Sequence, residues 1–264
     1  MRFGVCTEIG YAPLLARSGY DFIELSVSGD LMPESDESTW TAKRNEIEGM
    51  PLPVEVFNSF VRIRKIVGPN VDREGLYAYV NRAFSRAAQV GGSLIVFGSG
   101  GARAIPDGWP AEQAHRQMID FLNCCARVFE KTGIKVAIEP LCRAECNMIN
   151  LVSEGAALAR EVASPGVMNL ADTYHMEAET EPLTAIIANA DVLAHAHTAD
   201  TGRLWPGSGG YNHTALFAAL GQASYDKRLS IECSWDGGIE EHAAPALAYL
   251  KESLTRARCN EAPF

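Results

Sequence analysis

Val136-Ala137-Ile138-Glu139, Val167-Met168-Asn169-Leu170-Ala171-Asp172, Val192-Leu193-Ala194-His195-Ala196-His197 and Leu229-Ser230-Ile231-Glu232 are four short, mostly apolar runs, each ending in a carboxylate or an imidazole. Their polar ends lie 33, 25 and 35 residues apart, each gap about one strand plus one helix plus their loops. An apolar run this short, bounded by turn residues, reads as a strand buried on both faces, as parallel strands are. A charge at the end of such a strand is costly if it is buried unpaired. Four of them on four successive strands converge on one point at one rim. The spacing therefore predicts a metal site built from Glu139, Asp172, His197 and Glu232.

Working outward, strand-like runs alternate with helix-like segments over the whole chain. Strands are expected at Arg2–Cys6, Asp21–Ser26, Leu52–Asn58 and Ser93–Gly98, then at Ile134–Glu139, Val167–Asp172, Val192–Thr198 and Leu229–Glu232. Helices are expected at Tyr11–Ser18, Asp36–Gly49, Arg73–Gly91, Ala111–Thr132, from Ser153, at Pro182–Ala190, about Thr214–Gly221, and from Ile239 to Arg258 before a frayed tail. Gly91-Gly92 and Gly133 act as helix stops. The cluster Gly98–Pro110, rich in glycine and proline, reads as a rim loop rather than a linker, because no second domain's pattern begins after it. Eight β–α units in 264 residues predict a single (β/α)8 barrel domain with its active site at the carboxyl ends of the strands. An open doubly wound sheet is the alternative. It is disfavoured because no G-x-G-x-x-G or Walker sequence follows any strand.

Composition narrows the function. A formal net charge of −10 repels phosphate backbones and anionic lipid, which argues against nucleic acid as the partner. No run reaches the eighteen apolar residues of a membrane span, and the start of the chain turns acidic too early for a secretory signal. Seven cysteines with no C-x-x-C suggest reduced thiols, so a cytoplasmic protein is expected. A homo-oligomer is left open. Three carboxylates and one imidazole suit a hard to borderline divalent ion, with Mn expected and Mg or Co possible, better than zinc. Close by in sequence, Glu145 lies six residues beyond Glu139, His175 three beyond Asp172 and Arg203 six beyond His197.

These spacings resemble the sugar isomerase and epimerase superfamily of xylose isomerase-like barrels, and within it the ketose 3-epimerases of the D-tagatose epimerase type. The family's E-x-L-x-R-x-E is matched by Glu139-Pro140-Leu141-Cys142-Arg143-Ala144-Glu145, followed by Asn147 and Asn150. Its D-T-x-H-M is matched by Asp172-Thr173-Tyr174-His175-Met176. Its H-x-H with R-x-x-P-G-x-G is matched by His195-Ala196-His197 and by Arg203-Leu204-Trp205-Pro206-Gly207-Ser208-Gly209. The resemblance implies that Glu139, Asp172, His197 and Glu232 hold the metal, and that Glu139 and Glu232 are the acid–base pair. It also implies that Glu145, His175 and Arg203 bind a sugar or keto-polyol, with proton transfer beside a carbonyl through an enediolate. The chain departs from the pattern after Glu232, which continues Cys233-Ser234-Trp235 where the epimerases commonly read E-P-F.

Other residues carry weaker expectations. His195 reads as a buried structural histidine, and His115, His213 and His242 as surface residues. Glu24 is open between a structural role and a hydrogen bond to substrate or a ligand. Arg62 and Arg64 read as loop charges, with a substrate phosphate or carboxylate as the alternative partner, Trp109 and Trp205 as pocket walls or ordinary packing, and Cys6 and Cys233 as small apolar residues. Cys142 and Cys146 lack paired partners for a metal. Hydroxypyruvate or keto-inositol isomerase and inosose dehydratase remain alternatives. An endonuclease IV-like nuclease is disfavoured by the missing D-x-H after the seventh strand and by the charge.

Overall fold

Eight parallel strands, each paired with the next in the chain and the last with the first, close a barrel. The computed structural model describes residues 1–261, with side chains through Cys259. The strands are β1 (Arg2–Cys6), β2 (Phe22–Ser26), β3 (Val54–Asn58), β4 (Leu94–Phe97), β5 (Lys135–Ile138), β6 (Val167–Asp172), β7 (Leu193–Thr198) and β8 (Arg228–Ile231). Around them run α1 (Ala12–Ser18), α2 (Glu37–Glu48), α3 (Arg73–Gln89), α4 (Gly100–Arg103), α5 (Ala111–Thr132), α6 (Val152–Val162), α7 (Thr173–Ala178), α8 (Thr184–Ala188), α9 (His213–Gln222) and α10 (Ile239–Glu261). Parallel neighbours need crossover connections, and here helices supply most of them.

Local chemistry sets the helix starts. Asp36 caps α2 by accepting from the Thr39 N–H at 2.8 Å, and Asp72 caps α3 by accepting from Gly75. At α6 the carboxylate of Glu154 accepts from the Asn150 and Leu151 backbones, so the helix begins one residue before Ser153 and Ser153 takes no part. Two features depart from the predicted pattern. Asp172 caps a short helix, α7, through the Tyr174 N–H, so the segment expected only at Pro182–Ala190 is preceded by a separate turn of helix. The rim loop at 98–110 contains α4. The last helix runs to Glu261, so the tail expected to fray after Cys259 starts as helix, and its remaining residues 262–264 lie outside the described residues.

The apolar core has two parts. One lies between strands and helices and includes the aromatic group Phe57, Phe60, Phe84, Phe97 and Phe121. The other fills the lower barrel with Phe22, Val56, Leu94, Val96, Ala137, Leu170 and Ala194. Gly4 on β1 makes room for it: a Cβ there would stand 2.3 Å from the Phe22 ring. Burying a phenylalanine of this kind contributes roughly 1.5–3 kcal/mol. Above this apolar floor the interior turns polar, and that upper half is the site. Among the described residues, no helix is long and apolar enough to cross a membrane.

Candidate metal centre and active site

The four polar ends arrive at one place by different local means. Glu139 follows β5 directly, its N–H donating to Phe97 O at 3.1 Å, and Glu232 follows β8 in the same way through Thr198 O at 3.0 Å. Asp172 ends β6 as the cap of α7. His197 depends on an irregularity in β7: Leu193 pairs with Asn169 and His195 with Leu170, leaving Ala194 as an extra residue. Ala194 packs in the inner cluster and Ala196 in the outer one, so the bulge turns both His195 and His197 inward. Bulges re-aim side chains in this way next to active sites.

One ligand atom from each of Glu139, Asp172, His197 and Glu232 lies within 4.8 Å of all the others. His197 Nδ1 stands 3.1 Å from Glu139 Oε1, 3.6 Å from Glu232 Oε2 and 3.7 Å from Asp172 Oδ2. Burial, together with the charges of Glu232 and Asp172, raises the Glu139 pKa against the pull of His197. Burial acts on Asp172 too, but the nearby His197, His175 and Arg203 outweigh it and bring that carboxyl to about 2. The His197 pKa stands well above its ordinary value: burial opposes protonation, and the carboxylates of Glu24 and Asp172 overcome it. Asp172 Oδ2 is buried and has no hydrogen-bond partner among the described residues. Three clustered carboxylates and an unpartnered oxygen need positive charge between them. The donor set of oxygens plus one imidazole nitrogen fits a divalent cation.

A cavity of about 450 Å³ opens above this cluster, lined by Glu139, Glu145, His175, Arg203 and Glu232. The residues expected to bind substrate are therefore brought to the expected ligands. His175 Nδ1 accepts the Cys142 N–H at 3.1 Å, so its proton sits on Nε2, which is buried and unpartnered. Arg203 bridges Glu145 (3.2 Å) and Glu232 (2.9 Å) and lies over the Tyr174 ring at 4.6 Å. Burial lowers the Arg203 pKa, but Glu232, Asp172 and Glu145 more than reverse this, so it stays cationic. A larger groove of about 780 Å³ lies between α3 and α5 on the outer surface, remote from these groups.

Several supporting residues were not singled out from the sequence. Gly98, at the end of β4, leaves space for Glu139, because a Cβ there would meet Oε2 at 2.2 Å. Arg103 is fully buried and donates to the carbonyls of Phe97 (3.1 Å) and Glu139 (2.8 Å), tying the ends of β4 and β5 together. Asp200 accepts from the N–H groups of Thr201, Gly207 and Tyr211 at 2.8–2.9 Å, folding the loop that carries Arg203. Only the terminal position of Gly98 signalled any of this. A buried arginine and a loop aspartate look like surface charges in sequence.

Other expectations resolve as follows. His213 is fully buried against Tyr211 and Tyr249, a correction to its expected surface position: it opens α9 beneath the 200–212 loop, which covers it. His115 is exposed and paired with Glu161, while His242 is half-buried and stacked on Trp205 at 4.4 Å. Trp109 donates to Gln117 and packs against the core, so neither tryptophan lines the cavity. Arg64 pairs with Glu34 and Asp72, whereas Arg62 lines the cavity mouth. Arg143, inside the first motif, turns away to Glu179. Asn147 and Asn150 hold loop backbone, through Ile105 and through Leu141 and Cys146 respectively. All seven cysteines are unpaired. Burial drives up the thiol pKa values of Cys6 and Cys233, the latter to about 12, which keeps both protonated. His195 and Glu24 lie in the layer below the ligand cluster.

Known proteins share this arrangement of strands. The 3-dehydro-D-guloside 4-epimerase of Escherichia coli K12 is 34% identical over 58% of this chain and 63% of its own length. The D-psicose 3-epimerase of Agrobacterium fabrum is 25% identical over 84% of this chain and 78% of its own. Among solved structures, the 3-keto-D-glucoside 4-epimerase YcjR from E. coli superposes with a TM-score of 0.82 at 24% identity, covering 96% of this chain and 99% of that one. The sequence pattern of the xylose isomerase-like TIM barrel family matches residues 13–253, and the chain belongs to that family.

Proposed function

We propose that this protein is a sugar epimerase or isomerase that depends on one divalent metal ion, manganese first, with magnesium or cobalt as alternatives. The observation that carries the reading is the joint placement of Glu139 and Glu232 beside His197 Nδ1, at the floor of a cavity also lined by His175, Arg203 and Glu145. Glu139, Asp172, His197 and Glu232 would hold the ion, which supplies Lewis acidity towards a substrate carbonyl. The rest of the chemistry belongs to the side chains. One of the two glutamates removes the proton from the carbon beside the carbonyl, and the other returns a proton to the opposite face. His175 donates from Nε2 to a substrate oxygen, and Arg203 does so from its guanidinium while restraining Glu232 and Glu145.

The substrate class follows from the polar donors and from the relatives, whose names place them on free ketoses and on keto-glycosides. The test is solvent deuterium incorporation by manganese-loaded protein, using ketoses, 3-keto-glycosides, hydroxypyruvate and keto-inositols. Exchange is expected at the carbon beside the carbonyl. Glu139→Gln and Glu232→Gln should each lower turnover by roughly 10²- to 10⁴-fold, the usual contribution of a positioned acid or base. Near-normal turnover in either variant overturns the assignment. Elimination of water from a keto-inositol without epimerisation would instead support the dehydratase reading.

A further inference from the structure

Below the four expected ligands lies a second buried layer made by Glu24 of β2, His195 of β7 and Ser230 of β8. All three side chains are fully buried. Glu24 Oε1 stands 3.1 Å from His197 Nε2. Its other oxygen, Oε2, takes the Ser230 hydroxyl at 2.6 Å and His195 Nε2 at 3.0 Å. An ionised carboxylate only accepts, so each of these neighbours must be a donor. His197 therefore keeps a proton on Nε2, and Nδ1 is the nitrogen that would give up its own proton to bind a cation. That is the atom 3.1–3.7 Å from Glu139, Glu232 and Asp172.

The strand register supports the same geometry. Ser230 is the Cα partner of His197 on the neighbouring strand, and Asp172 is its partner on the other side. A buried carboxylate is an expensive way to fill a barrel, since apolar side chains would fill the same volume without the desolvation cost. What it supplies is direction: an imidazole hydrogen-bonded through one nitrogen cannot swivel the other out of line.

We propose that Glu24 is the positioning residue of the metal centre, holding His197 with Nδ1 aimed between the three carboxylates, and that Ser230 and His195 hold Glu24 in turn. This rests on the metal-dependent reading above. It assigns Glu24 no contact with substrate.

The experiment is calorimetric titration of chelator-stripped protein with Mn²⁺, and with Co²⁺ for its visible absorption, on wild type, Glu139→Gln, Glu24→Gln and Ser230→Ala. Circular dichroism of each stripped protein reports the fold. Glu24→Gln is expected to raise the Mn²⁺ dissociation constant by roughly 10- to 100-fold, the usual effect of losing a partner that orients a ligand. It should also change the Co²⁺ spectrum, because His197 is no longer held. Ser230→Ala should shift affinity in the same direction by a smaller factor. A role confined to packing would alter the melting temperature and leave affinity and spectrum alone. Wild-type affinity and spectrum in both folded variants, with binding weakened in Glu139→Gln, would overturn the proposal and leave the metal centre standing. If Glu24→Gln does not fold, wild-type affinity in Ser230→Ala overturns it alone. If the wild-type protein itself binds no Mn²⁺, the metal-dependent reading fails first, and this proposal falls with it.

Discussion

Glu139 shows how narrowly a single side chain is placed. Its backbone is tied to Phe97 and Arg103, its carboxylate touches His197, and the absent side chain of Gly98 leaves the gap it occupies. Gly98→Ala puts a methyl group where Oε2 now lies, so the carboxylate has to move by an ångström or more. A displacement of that size at a reacting group costs roughly 10²-fold in rate. We expect kcat/KM to fall by about that factor, with a melting temperature close to wild type. Steady-state kinetics beside calorimetry checks this, and unchanged kinetics would remove Glu139 from the chemistry. The residues proposed as ligands and substrate contacts could be picked out in sequence because each closes an apolar run or stands a fixed number of residues beyond one. Gly98 and Arg103 could not, and for Glu24 the sequence left a structural role and a hydrogen bond to substrate or a ligand both open: what makes each matter is a neighbour far along the chain.

Among the elements, the loop after β7 carries the most function on the least regular structure. Arg203 has a left-handed backbone (φ 63°), and the loop around it is pinned by Asp200. Asp200→Ala leaves three N–H groups without an acceptor, each costing about 1–3 kcal/mol where water cannot replace it. The expected result is a KM at least about tenfold higher with a smaller change in kcat, since the proposed role of Arg203 is to bind substrate rather than to move the proton. A parallel series with Arg203→Ala checks the origin: if Asp200→Ala leaves KM unchanged, the loop does not depend on that carboxylate. The run Pro206-Gly207-Ser208-Gly209 suits a tight turn that holds this loop rigid. It did not reveal that the rigidity comes from an aspartate preceding the arginine. The β7 bulge was likewise invisible, because His195-Ala196-His197 alternates like any strand and only pairing with β6 reveals the extra residue.

At the scale of the whole molecule, the barrel concentrates like charge in its upper interior. Glu24, Glu139, Asp172 and Glu232 share that space with one imidazole wedged between them. A bound divalent ion relieves part of this repulsion and binds only the folded chain, so it must stabilise the protein. At a free concentration one hundred times its dissociation constant the gain is about 2.7 kcal/mol. For a chain of this size that corresponds to a melting temperature raised by roughly 5–10 °C. Calorimetry of chelator-treated and Mn²⁺-loaded protein measures it directly. Identical melting temperatures at saturating Mn²⁺ would contradict a metal held at this site.

The sequence by itself determined the eight-fold alternation of strand and helix, and with it the barrel and the rim on which Glu139, Asp172, His197 and Glu232 meet. Periodicity and turn residues are local properties, and local properties are written along the chain. It also placed His175, Arg203 and Glu145 near that rim, because short loops leave them little freedom. Only the tertiary structure decided which nitrogen of His197 faces the carboxylates, that Glu24 and Ser230 stand behind it, that His213 is interior, and that Arg103 and Asp200 are structural supports. Those facts depend on contacts between strands far apart in sequence. The free energy of a buried polar group is set by what surrounds it, not by what precedes it.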